Sequence, residues 1–154
     1  MRVYVGSDHA GFELKQYLVK ALADAGHDVT DIGPTAYHDD DDYPVFCLHV
    51  ASRVVADPGS LGVVIGGSGN GEQISANKVV GVRAALAWSV ATAELARSHN
   101  DANVVAIGAR MHTREEAGTI VGAFLRTSFS QDDRHARRIA QITAYETSRT
   151  LPPL

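Results

Sequence analysis

The chain has 154 residues, 45% of them hydrophobic and 21% charged, a usage that supports a buried core and excludes disordered, collagenous and coiled-coil classes. Fourteen Lys and Arg against 18 Asp and Glu leave a net charge of −4, so there is no diffuse basic field for nucleic acid or an anionic membrane. The single Cys47 rules out an intramolecular disulfide and a multi-cysteine zinc site. Met1 runs straight into Arg2-Val3-Tyr4-Val5-Gly6 without a targeting pattern, and no stretch approaches ~18 apolar residues. The expectation is one cytoplasmic domain over residues 1–154.

Five short β-branched runs read as strands: Arg2 to Gly6, His27 to Ile32, Leu61 to Ile65, Arg83 to Ala87 and Asn103 to Ile107. After the first, Ala10 to Ala25 places Phe12, Leu14, Tyr17, Leu18, Ala21 and Leu22 on one helical stripe that stops at Gly26. The acidic run Asp39 to Asp42 lacks the spaced ligands and glycine of a calcium loop and reads as solvated acid ahead of a helix. That helix opens near Pro44 and runs to the Asp57-Pro58-Gly59 turn. The last segment, Ser130 to Arg149, is a mostly polar helix with a narrow stripe of Ile139, Ile142 and Tyr145, a pattern that favours packing on another subunit over covering its own core. Strands alternating with helices predict a doubly wound α/β fold: a five-stranded parallel sheet with helices on both faces and an extra C-terminal helix. Loops that follow the strands then share one sheet edge, where ligands bind.

On that edge the third strand runs into Gly66-Gly67-Ser68-Gly69-Asn70-Gly71-Glu72, with four glycines in six positions ahead of a helix. A turn alone needs fewer, and the density lets backbone N–H groups converge on an anion or oxyanion. The loop ends neither as a Walker motif nor as a dinucleotide fingerprint, and Asn70 stands where a nucleophile elbow wants glycine. Glu72 is ordinarily a helix-dipole partner; beside an oxyanion nest it can instead act as a general base. The first strand ends in Asp8 and His9, one suited to an N-cap, the other to phosphate contact or proton transfer. Arg110 follows the fifth strand on the same edge. Arg134, Arg137 and Arg138 lie at i, i+3 and i+4 on the last helix, solvated by default but able to clamp a phosphate. His99 and Asn100, in a helix-to-strand connection, fall on the opposite edge, where His99 reads as a surface histidine. Tyr43 and Cys47 read as structural, with Tyr43 an outside candidate for lining the site.

Ser7-Asp8-His9-Ala10-Gly11, the loop from Gly66 through Glu72 into Ile74-Ser75-Ala76-Asn77-Lys78-Val79, Ser98-His99-Asn100, Arg110, and Arg134 with Arg138 together resemble the type B ribose-5-phosphate isomerase family over essentially the whole chain. The resemblance implies a flavodoxin-like sheet, a homodimer with active sites at the subunit interface, a phosphorylated sugar as substrate, and no metal or nucleotide cofactor. It implies that Asp8 and His9 contact the sugar ring and phosphate, and that Gly67, Ser68, Gly69, Asn70 and Gly71 form an anion hole. His99 would assist ring opening, Asn100 would hold hydroxyls, and Arg110, Arg134 and Arg138 would bind phosphate, with some of these residues supplied by the partner chain. Many members carry a cysteine base where Gly66 stands, so this chain resembles the subgroup whose base is the glutamate after the loop, Glu72.

The reaction so implied interconverts D-ribose 5-phosphate and D-ribulose 5-phosphate. Asp8 and His99 would manage the ring-opening protons, and Glu72 would move a proton between C2 and C1 through a cis-enediolate. Related isomerases act on allose 6-phosphate, galactose 6-phosphate or a tetrulose 4-phosphate, and pocket depth around Tyr43, Ser68 and Asn100 would discriminate among them. A non-catalytic phosphosugar-binding module is the rival of another class; it would need neither Glu72 nor His99.

Overall fold

A computed structural model describes residues 1–153. In chain order the elements are β1 (Arg2–Ser7), a 3₁₀ turn (His9–Gly11), α1 (Phe12–Asp24), β2 (Asp28–Gly33), α2 (Tyr43–Ala56), β3 (Leu61–Gly66), α3 (Asn70–Ala76), β4 (Ala84–Leu86), α4 (Val90–Asn100), β5 (Val104–Gly108), α5 (Arg114–Arg126) and α6 (Asp133–Ser148). The strands form one parallel sheet in the order β2-β1-β3-β5-β4. Relative to the flavodoxin order the last two strands are exchanged, which leaves the short β4 at an edge. The strand spacing in the sequence says nothing about that exchange.

The central strands are apolar on both faces because side chains alternate across a strand and both faces are covered. Val3, Val5, Val63, Ile65, Val105 and Ile107 meet the buried residues of α1, α4 and α5, with Phe124 fully buried among them. Tyr4, Val64, Val104 and Ala106 point the other way, onto Cys47, Val50, Ala51 and Val54 of α2 and Ala76 of α3. Helix α6 belongs to neither layer. Of its side chains only His135 is buried, whereas Ile142 and Tyr145 remain exposed, so its apolar stripe does not cover this chain's own core. No helix among the described residues is long and apolar enough to cross a membrane.

Two predicted helix starts shift, each for a local reason. The first helix begins at Phe12 rather than Ala10 because Asp8 Oδ1 accepts a hydrogen bond from Gly11 N–H (3.1 Å) and closes a 3₁₀ turn first. The last begins at Asp133 rather than Ser130, where Asp132 Oδ1 accepts from Arg134 N–H (2.8 Å).

The 3₁₀ turn lies directly on β3. A Cβ at Gly11 would stand 2.6 Å from the Ile65 carbonyl oxygen, a contact that only backbone movement relieves. Gly11→Ala is therefore expected to cost about 1–3 kcal/mol of stability, read from urea unfolding midpoints; an unchanged midpoint would contradict this packing.

Candidate active site

β1 has β2 on one side and β3 on the other, so successive crossovers leave in opposite directions and open a crevice at the C-terminal ends of β1 and β3. The strand ends stay in register past the sheet. Asp8 N–H donates to Ile65 O (3.3 Å), Ala109 N–H to Gly66 O (2.7 Å) and Arg110 N–H to Gly67 O (3.1 Å). Asp8, the glycine loop and Arg110 are thereby held side by side. The Arg110 side chain passes over Gly67, where a Cβ would lie 3.4 Å from its Nη1. Gly69 turns the loop into α3 with φ +83°, and Ser68, on the exposed side of the loop, accepts from Asn70 Nδ2 (3.2 Å). Tyr43 covers Gly71 so closely that a Cβ there would meet its ring at 2.6 Å.

Glu72 is the buried acid of this edge, 4% exposed. Its carboxylate occupies the space in which a side chain at position 66 would stand, so a Cβ on Gly66 would overlap it. Burial pushes the Glu72 carboxyl above the ordinary carboxylate range, the negative charge of Asp8 pushes the same way, and the backbone N–H groups of Glu72 and Gly69 oppose them. Below lies Cys47, fully buried, its thiol held far from ionisation first by burial and then by the charges of Glu72 and Asp8. The lone cysteine thus touches the electrostatics of the site without being a nucleophile.

The acidic run corrects the sequence reading. Asp41 is not solvated: its Oδ1 accepts from His9 backbone N–H (2.6 Å) and pairs with His9 Nδ1 (3.0 Å), and its side chain is only 12% exposed. A run of four identical residues carries no signal of which one turns inward, and chain geometry after β2 decides it. The Asp41 hydrogen bond is the main reason the His9 imidazole is held above its ordinary pKa, with the charge of Asp8 adding to it.

The remaining candidates gather elsewhere. α4 runs antiparallel to the strands, so His99 and Asn100 end up at the opposite sheet edge. The start of α6 packs there: Ser130 N–H donates to Ser98 O (3.0 Å), and the His99 and His135 rings stack at 4.1 Å. His135 feels the charges of Arg134 and Arg138 and, mainly through burial, is held below its ordinary pKa. Nothing in the sequence singles out His135. One chain therefore carries Asp8, His9, Tyr43, Gly67, Ser68, Gly69, Asn70, Gly71, Glu72 and Arg110 on one edge, and His99, Asn100, Arg134 and Arg138 near the other, a strand length of roughly 17–20 Å apart. Among the described residues no group of three or more His, Cys, Asp or Glu is arranged to hold a metal ion.

Fold and edge together define a doubly wound α/β protein with a buried carboxylate beside a glycine loop at the ends of its strands. Residues 3–142 match a family model described as Ribose/Galactose Isomerase. The Mycobacterium tuberculosis protein called ribose-5-phosphate isomerase B is 58% identical over 154 residues, covering 100% of this chain and 95% of that protein; the Escherichia coli protein of the same name is 38% identical over 148 residues, covering 96% and 98%. The crystal structure of ribose-5-phosphate isomerase B from Mycoplasma genitalium with bound ribulose-5-phosphate matches with a TM-score of 0.91 at 41% identity, covering 96% of this chain and 97% of that one. The chain belongs to the Ribose/Galactose Isomerase family.

Because the Glu72 carboxylate fills the space over residue 66, Gly66→Ala is expected to displace it and cost about 1–3 kcal/mol of stability, read from urea unfolding midpoints. An unchanged midpoint would contradict this arrangement.

Proposed function

We propose that this protein interconverts D-ribose 5-phosphate and D-ribulose 5-phosphate, with Glu72 as general base, in active sites built jointly by two copies of the chain. The observation that carries the reading is the buried Glu72 carboxylate seated between Asp8, Gly66 and the glycine loop. A carboxylate whose pKa is raised by burial is a stronger base than one in water, and proton transfer at carbon needs that.

In this mechanism Asp8 and His99 take up and return the protons of ring opening. Glu72 then removes the C2 proton and delivers it to C1 through a cis-enediolate, while the O2 hydroxyl proton passes to O1. Acid–base participation is worth roughly 10²–10⁴ in rate, too little alone for a carbon acid, so the loop from Gly67 to Gly71, with Ser68, meets the developing oxyanion. Asn100 holds substrate hydroxyls, Tyr43 and Asn70 line the pocket, and His9, Arg110, Arg134 and Arg138 hold the phosphate and orient the sugar. Residues 1–154 act as one sugar-phosphate isomerase domain, and the lone buried thiol suits the reducing cytoplasm.

Sharing of sites follows from the separation of the two residue groups. His99, Asn100, Arg134 and Arg138 lie too far from Glu72 within one chain to meet the same small substrate, whereas a twofold partner can bring its own set to this Glu72 and receive the reverse. The surface supports a second copy. A groove of about 660 Å³ runs along the β4 edge from Asn70 to Asn100, lined by Leu86, Trp88, Ile139 and Ile142; Trp88 is 66% exposed and Ile142 55%.

Glu72→Gln is expected to abolish isomerisation of ribose 5-phosphate while phosphosugar binding persists. Near-normal turnover in that variant would refute the assignment of the base, and a higher kcat/KM for allose 6-phosphate, galactose 6-phosphate or a tetrulose 4-phosphate would reassign the substrate. Failure of the wild type to exchange the substrate C2 proton with solvent would favour a binding module. Mixing inactive Glu72→Gln and His99→Asn chains is expected to restore about a quarter of wild-type activity, since half of randomly paired dimers would carry one intact site. No recovery in mixtures shown to contain the mixed dimer would place each site within a single chain.

A further inference from the structure

The contact between His9 and Asp41 has no role in the mechanism above, and the ordinary explanations for it fail. Asp41 does not cap a helix: α2 is preceded by Asp42, and no side-chain cap bond is made there. Nor is Asp41 part of a wider network. Oδ1 bonds only to His9, through its backbone N–H and ring Nδ1, and Oδ2 is buried with no hydrogen-bond partner among the described residues. A buried carboxylate with one oxygen unsatisfied is costly, and all that this one does is hold a histidine. The two neighbouring acids, Asp40 and Asp42, remain exposed.

The geometry specifies what is held. With Nδ1 on Asp41, the free ring nitrogen of His9 is Nε2, carried by the 3₁₀ turn on the same strand-end edge as Glu72 and Arg110. A neutral imidazole that donates from Nδ1 to a carboxylate leaves Nε2 only as an acceptor, useless toward a phosphate; a protonated ring donates from both. We propose that Asp41 is a positioning residue that fixes the His9 ring through Nδ1 and keeps it cationic, so that Nε2–H meets the phosphorylated substrate as a charged donor. This rests on the reading of His9 as a substrate contact. The charged groups acting on the ring are Asp41 and Asp8, and both favour the cation, opposed only by partial burial.

The sign of the pH dependence follows. Because its partner raises the His9 pKa, the wild-type ring stays charged to higher pH than a free imidazole, and tight substrate binding is lost as pH rises through that raised value. In Asp41→Asn the loss moves to lower pH. The amide oxygen of Asn can still accept from His9 N–H, so the local fold is kept while the charge is removed.

The test combines two readouts on the intact protein. The His9 ring resonances, identified by their loss in His9→Gln, are titrated by NMR in wild type, Asp41→Asn and Asp41→Glu. KM and kcat for ribose 5-phosphate are measured from about pH 5 to about pH 8, the span over which a histidine changes charge. Expected for Asp41→Asn are a His9 titration displaced to lower pH and a KM raised about tenfold at the alkaline end, the size of one charge-assisted bond. kcat should stay within about threefold, the KM gap should narrow toward the acidic end, and Asp41→Glu should partly restore both readouts. An unchanged His9 titration in Asp41→Asn, or a KM and kcat that change by one factor at every pH, would overturn the proposal. A wild type inactive on ribose 5-phosphate would overturn the proposed function instead, and the NMR titration would then decide the role of Asp41 by itself.

Discussion

The site depends on one volume being empty. Gly66 closes β3 without a side chain, and the Glu72 carboxylate lies in the space so vacated. The glycine loop between them is long enough to turn the chain back and short enough to aim the first turn of α3 at the strand end it has just left. Because that position is inside the α2 and α3 layer, the carboxylate is desolvated, and desolvation is the first cause of its raised pKa. Two ordinary features of a parallel α/β fold, a buried strand end and a short following helix, thus produce a carboxyl whose pKa is raised above the ordinary range. The same burial, with the charges of Glu72 and Asp8 added to it, holds Cys47 as a thiol.

The second constraint is that helices of a parallel sheet run against the strands. It places His99 and Asn100 one strand length from Glu72 and no local rearrangement brings them back. Helix α6 extends that far group with Arg134 and Arg138 while leaving most of its own surface exposed, its one buried side chain stacked on His99. The three residues of the edge strand β4 are buried or half-buried, but beyond it Trp88, with Ile142 of α6, leaves apolar surface uncovered at that edge. With 14 Lys and Arg against 18 Asp and Glu the chain has no net positive field, so an anion is met only by local groups, such as Arg110 where it lies over Gly67.

Much of this is legible in the sequence because it depends on local chemistry. The β-branched runs, the Gly26 stop, the four glycines from Gly66 to Gly71 and the carboxylate after them mark strands, a helix end and an anion-friendly loop whatever surrounds them. The nearly unbroken apolar run from Leu61 to Ile65 implies two covered faces, and the structure fills them with α1, α4 and α5 on one side and α2 and α3 on the other. The strand exchange between β4 and β5, the overlap of Glu72 with the space above Gly66 and the stacking of His135 on His99 are contacts between distant segments, and no local pattern encodes them.

The acidic run draws the line most sharply. Composition determined that Asp39 to Asp42 would be charged, polar and placed ahead of a helix. Only the tertiary structure decided that Asp41 turns inward to His9 while Asp40 and Asp42 stay in water. The sequence by itself determined the elements, their alternation and the residue types available for chemistry, because propensity, side-chain period and glycine density act over a few residues. Which of those residues meet, and with what pKa, is set by burial and by charges brought together from β1, the segment before α2 and α3, and these exist only once the sheet has closed over its core.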